Sequence, residues 1–249
     1  MLGLMQDWPL RISRIIDHAA KYQAGRPVLG RSVEGPIVRT DWAGLRSQAL
    51  KLALALVRLG VKPGDVIGCM AWNTPRHMET WYGVPDAGGV LHSLNPRLSR
   101  EQLIYIINHA EDSWLFCDMD LVPVLEGIAD ELPLVRGYVV MTDRAHIPET
   151  SLPNALCYEE IVGAETDDAG WVDGDERDAC GICYTSGTTG EPKGVVYSHR
   201  SNVLHAMVFS YPDLFMKLAS FRVFALDRPA LPGVDDAGTW SSPGGLVFG

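Results

Sequence analysis

No apolar run in the 249 residues approaches the length of a membrane span, so a transmembrane helix is not expected. The first residues, Met-Leu-Gly-Leu-Met-Gln-Asp-Trp, lack a basic stretch followed by an apolar core, so a secretory signal is not expected either. Basic residues are few: 21 Lys and Arg stand against 31 Asp and Glu, for a formal net charge of −10. That balance argues against nucleic acid as a partner, because a phosphate backbone calls for a basic surface. A small phosphorylated ligand is not disfavoured, since its site is local. Cysteines number only five (Cys69, Cys117, Cys157, Cys180 and Cys183), an odd and scattered set that gives no disulfide framework. They read as reduced thiols of a cytoplasmic protein. Cys180-Gly-Ile-Cys183 has C-x-x-C spacing, but no second pair of soft ligands completes a zinc-finger arrangement. Residues three apart on a strand also point to opposite faces, so the pair reads as structural.

Apolar residues make up 47% of the chain, enough for a real core. Their spacing alternates between two periods. Ile12, Ile15, Ile16, Ala19 and Ala20 share a helical face within 10–22. Short strand-like pieces surround Gly35-Pro36. Thr40-Asp41 opens a long helix that ends at Gly60. Pro63-Gly64-Asp65 turns into a strand over 66–71. Thr74-Pro75 starts a helix to about 88, by N-cap and first-turn proline. A strand over 90–94 follows, then a helix from the Ser99/Gln102 capping box to His109. Strands are expected over 114–117 and 138–141, with a helix over 122–130 between them. Such alternation predicts an α/β fold with a mainly parallel sheet flanked by helices. Residues 142–175 read as a polar connection with one short helix near Tyr158. Ser198 can cap a helix over 199–209.

The most informative run is Tyr184-Thr-Ser-Gly-Thr-Thr-Gly-Glu-Pro-Lys193, followed by Gly194. Small hydroxyl residues and glycines surround one lysine, between an apolar stretch at 181–184 and the strand-forming Val195-Val196-Tyr197. Glycine lets the backbone approach a ligand closely, and clustered N–H groups, hydroxyls and an ammonium suit a polyphosphate. It is not a Walker A loop, because Pro192 precedes the lysine and no Ser or Thr follows it. That argues against a P-loop NTPase.

The run resembles the phosphate-binding signature of the adenylate-forming superfamily, the acyl-CoA synthetases and their relatives. Other segments are similar to the medium- and long-chain fatty-acyl-CoA ligases: Val61 to Ile67, Trp72-Asn73-Thr74 through Trp81-Tyr82-Gly83, Leu94-Asn95-Pro96-Arg97-Leu98, and Tyr105 to Ala110. The resemblance covers about 1–212 and implies the N-terminal part of that fold, with the phosphate loop at 184–194. It implies ATP-dependent activation of a fatty acid to acyl-AMP, then transfer to the co-substrate CoA, with Mg²⁺ accompanying ATP. Thr185, Ser186, Thr188 and Thr189 would contact phosphate oxygens, Gly187 and Gly190 would allow the approach, and Lys193 would supply charge or tether the loop by a salt bridge. For His199 and His205 a catalytic role stays open beside a capping or solvent-exposed one, and His92 and His109 read as structural. The 205–209 stretch is either a wall of an acyl pocket or ordinary core. Pairing as a homodimer through the N-terminal region is a further implication.

Beyond about Pro212 the resemblance stops. The adenine and Mg²⁺ motif, the ribose aspartate and the small C-terminal domain with its adenylation lysine are not found, and the fold is expected to be incomplete. Residues 213–249 read as a divergent tail, frameshifted or disordered. Read in another register, Thr239-Trp240-Ser241-Ser242-Pro243-Gly244 permits an apolar run similar to a family strand. A frameshift, a truncated paralogue and a fragmentary reading of the gene all stay open. So do a non-catalytic nucleotide-binding remnant and an aryl-CoA ligase of the same superfamily. The polypeptide alone is expected to lack full ligase activity.

Overall fold

The computed structural model describes Met5 and residues 7–185 and 191–209. After helix α1 (Ser13–Tyr22), strands β1 (Pro27–Arg31) and β2 (Ile37–Asp41) form an antiparallel hairpin. Asp41 then serves as N-cap, its carboxylate accepting from the Gly44 amide at 2.8 Å, and launches α2 (Trp42–Arg58). There follow β3 (Val66–Met70), α3 (Pro75–Asp86), β4 (Val90–Ser93), α4 (Arg100–His109), β5 (Asp112–Cys117), α5 (Val122–Glu126), β6 (Tyr138–Val140), β7 (Ala155–Cys157), α6 (Tyr158–Gly163), β8 (Ala179–Thr185), β9 (Lys193–Ser198) and α7 (His199–Phe209). Thr74 and Ser99 cap α3 and α4, the latter with the full Ser99–Gln102 capping box.

The main sheet has strand order β7-β6-β5-β3-β4-β8-β9. Every pairing is parallel except β8 with β9. The chain leaves β3 for β4 on one side and returns to β5 on the other, which makes the β3 region a switch point. Alternation along β5 then feeds both faces. Trp114 and Phe116 join the core under α2, α3 and α6, while Leu115 and Cys117 join the core under α4 and α5. A third core joins the two ends of the described chain: Ile12 and Ile16 of the N-terminal region pack with Leu45, Tyr82, Cys180 and Val203. The segment before α1 is fixed by bonds to residues far along the sequence. The Leu10 amide donates to Glu176, the Ile12 amide donates to His199 Nδ1, and buried Arg11 pairs with Asp86 at 2.9 Å.

Two expectations need correction. The helix expected over 122–130 stops at Glu126, and a 3₁₀ turn over Ala129–Glu131 replaces its end, with Gly127 breaking the run between them. The connection after 142 contains the additional strand β7, three residues long, which pairs only with β6.

Candidate functional site

Strand β8 runs parallel to β4, so its last residue, Thr185, emerges at the carboxyl edge of the parallel sheet. Ligands of open α/β sheets bind along that edge. The antiparallel return of β9 sets Thr185 opposite Lys193 and Tyr184 opposite Gly194. The register therefore brings the two ends of the 186–192 segment side by side at that edge. Of the seven residues expected to bind phosphate, Thr185 and Lys193 are thus placed together. Ser186, Gly187, Thr188, Thr189 and Gly190 lie outside the described residues. Lys193 is exposed, and no described carboxylate pairs with its ammonium, so among the described residues no salt bridge tethers it.

Gly194 is dictated by its cross-strand neighbour. A Cβ there would stand 3.1 Å from Tyr184 Cζ and 3.3 Å from its hydroxyl oxygen. The Tyr184 ring thus lies over Gly194, where a side chain would crowd it. Its hydroxyl hydrogen-bonds His109 Nδ1 at 2.6 Å, and its ring sits 5.0 Å from that of buried His92. Burial, with Asp112 and Tyr105 nearby, pushes the Tyr184 phenol up to about 12. The sequence reading placed Tyr184 at the head of the 184–194 loop but gave it no role. The available signal was the alternation along β8, which sends Ile182 and Tyr184 to the face opposite Cys183.

The two histidines of α7 part company. His199 is neither an exposed nor a capping residue: it is buried, accepts from the Ile12 amide at 3.3 Å, and burial lowers its pKa to about 4. The cap is Ser198, whose hydroxyl accepts from the Ser201 amide at 3.1 Å. His205 is exposed, as are Leu204, Met207 and Val208, so this stretch is not core among the described residues. Cys180 is buried against the Asn202 amide and Cys183 is half-buried. No group of three His, Cys, Asp or Glu among the described residues could hold a metal ion.

Comparison with known proteins identifies the family of the chain. The family described as "AMP-binding enzyme" matches residues 16–225. The 3-methylmercaptopropionyl-CoA ligase of Ruegeria lacuscaerulensis is 40% identical over 248 residues, which is 100% of this chain and 45% of that protein. The medium-chain-fatty-acid–CoA ligase of Ectopseudomonas oleovorans is 42% identical, covering 86% of this chain and 39% of its own. The long-chain-fatty-acid–CoA ligase of Thermus thermophilus is 43% identical, covering 84% and 37%. Among solved structures, the anthranilate CoA ligase AuaEII in complex with anthranoyl-AMP shares the fold. Its TM-score is 0.71 at 22% identity, over 81% of this chain and 37% of that one. The chain thus spans less than half the length of the relatives it matches. Among the described residues, no helix is long and apolar enough to cross a membrane.

Proposed function

The chain belongs to the AMP-binding enzyme family, whose relatives named above are acyl-CoA ligases, and we propose that it serves ATP-dependent activation of a fatty acid to acyl-AMP and then acyl-CoA. The observation that carries this reading is the β8–β9 register, which sets Thr185 against Lys193 at the carboxyl edge of the parallel sheet. In the proposal Thr185, Ser186, Thr188 and Thr189 hold phosphate oxygens, Gly187 and Gly190 admit them, and Lys193 neutralises charge as pyrophosphate leaves. ATP with Mg²⁺, CoA and an alkyl carboxylic acid are the substrates. The alkyl class is supported by the relatives at 40% identity and above, each named for an aliphatic acid. Residues 1–212 supply the N-terminal part of the adenylating domain, and 213–249 form a divergent tail. A cytoplasmic homodimer completes the reading.

The short span relative to those ligases supports a second proposal, for the 249 residues by themselves: they bind nucleotide without completing the ligase cycle. Titration with Mg·ATP, followed by assays of fatty-acid-dependent ATP–pyrophosphate exchange and of acyl-CoA formation, tests both. Binding without exchange is expected of the isolated polypeptide. Acyl-CoA formation by it would overturn the second proposal, and no nucleotide binding at all would overturn the first. Sequencing the coding DNA past codon 249 decides whether another frame restores the remaining ligase motifs.

A further inference from the structure

Beneath Tyr184 lies a polar couple that packing alone does not require. His92, on β4, and Asp112, at the start of β5, are both fully buried. His92 Nδ1 lies 2.9 and 3.0 Å from the two Asp112 carboxylate oxygens. The other ring nitrogen, Nε2, is buried without a hydrogen-bond partner among the described residues. Burial pushes the Asp112 carboxyl up, and its bond to His92 pulls it back. Room for the carboxylate comes from Gly68 on β3, between β4 and β5: a Cβ there would stand 2.8 Å from Asp112 Oδ2. Buried ionisable pairs are commonly matched or bettered in stability by apolar residues of the same volume. An unpartnered buried nitrogen adds a further cost. What the couple supplies is a fixed ring orientation at His92, the surface on which Tyr184 rests. His109, the last residue of α4, holds the other end of the same tyrosine by its hydroxyl.

We propose that His92, Asp112 and His109 are positioning residues that lock Tyr184, and through it the β8–β9 pair, in the register that sets Thr185 and Lys193 together for phosphate. The phosphate part of this proposal rests on the functional reading above. Tyr184 joins the two halves of the device. It adjoins Thr185 in the chain, covers Gly194 next to Lys193, and is gripped from β4 and from α4. Strand β9 opens with exposed Lys193 and continues through exposed Val195 and Val196, so the half-buried Tyr184 of β8 is what ties this end of the pair to the core beside α4.

Amide hydrogen exchange on the 249-residue chain tests the lock directly, read on peptides covering 181–185 and 193–198. His109→Ala is expected to speed exchange there about five- to tenfold, the worth of one net hydrogen bond in local opening, with little change in α2 or α6. His109→Asn places an amide near the Nδ1 position and is expected to restore protection. His92→Ala and His92→Asn should form a second such pair, through Asp112. Val162→Ala on the opposite face is the control, and should loosen α6 without this local signature. Equal acceleration everywhere in His109→Ala, or no rescue by asparagine, would overturn the lock. The same variants titrated with Mg·ATP are expected to lose affinity in the order of their exchange rates. Unchanged affinity in a loosened hairpin would overturn the link to phosphate. A wild-type chain that binds no Mg·ATP would overturn the functional reading, while the exchange pattern still decides the lock.

Discussion

Replacing Gly194 with alanine sets two opposed effects against each other, and the structure says which wins. Alanine restricts the unfolded chain and by itself stabilises by about 0.4–1 kcal/mol where the native backbone accepts it. Against that, the new methyl would stand 3.1 Å from Tyr184 Cζ, 3.2 Å from Cε2 and 3.3 Å from the hydroxyl oxygen. The ring must move by a few tenths of an ångström, and it is not free to do so, being hydrogen-bonded to His109 at 2.6 Å and packed on His92. Overpacking of this kind typically costs about 1–3 kcal/mol, so Gly194→Ala is expected to destabilise by roughly 0.5–2 kcal/mol net. The decisive assay is a double-mutant cycle by urea denaturation, read as midpoint shifts at constant slope. In a Tyr184→Ala background the obstacle is gone, and the same Gly194→Ala change should become neutral or stabilising. Equal destabilisation in both backgrounds would refute the argument that the tyrosine ring dictates this glycine.

Other perturbations are equally specific. Gly68→Ala places a methyl against Leu115 Cδ2 and 2.8 Å from Asp112 Oδ2 in a packed interior, and is expected to cost about 1–3 kcal/mol; calorimetry should show a lower Tm. Lys193→Ala should leave the urea midpoint unchanged, because the side chain is exposed, yet weaken Mg·ATP binding about tenfold or more as a charge-assisted contact is lost. Burial raises the Glu79 carboxyl to about 7, with the Tyr158 hydroxyl donating to it at 2.7 Å. The folded state then holds a proton that the unfolded state releases near 4.5, so this group's contribution is full below that pH and is lost as pH rises through about 7. Asp118, also raised by burial to about 7, acts in the same direction, whereas His77 and His199, lowered by burial to about 4, act oppositely between about 4 and 6.5. Glu79→Gln isolates one contribution: its stability relative to wild type should rise from pH 5 to about pH 7 and level off above it. A constant difference across that range would contradict the assigned burial.

Much of the architecture could be read from local chemistry. Asp41, Thr74 and Ser99 mark helix starts because a short side-chain oxygen beside a free N–H is a signal within four residues, and all three cap as expected. Strand β7 had no such signal. Its Ala-Leu-Cys is too short to show a period, and only backbone pairing to β6 defines it. The run proposed to bind phosphate was legible as composition, and the two strands that flank it pair where the sequence put strands. The support behind it was not legible. His92, Asp112, His109 and Tyr184 come from four different elements, and only the order β5-β3-β4-β8 brings them together. His199 was misread for the same reason: its partner, the Ile12 amide, is 187 residues away along the chain.

That distance has a consequence for how the protein is made. The Leu10–Glu176 and Ile12–His199 bonds and the core of Ile12, Ile16, Cys180 and Val203 cannot close until residues 176–203 have been made. At ribosomal rates of about 5–20 residues per second, the N-terminal helix waits roughly 10–40 seconds for that partner to be synthesised. During that interval Ile12 and Ile16 lack part of their cover, and a chaperone or a neighbouring nascent chain can reach them. Helix α1 is therefore made long before the partners that secure it.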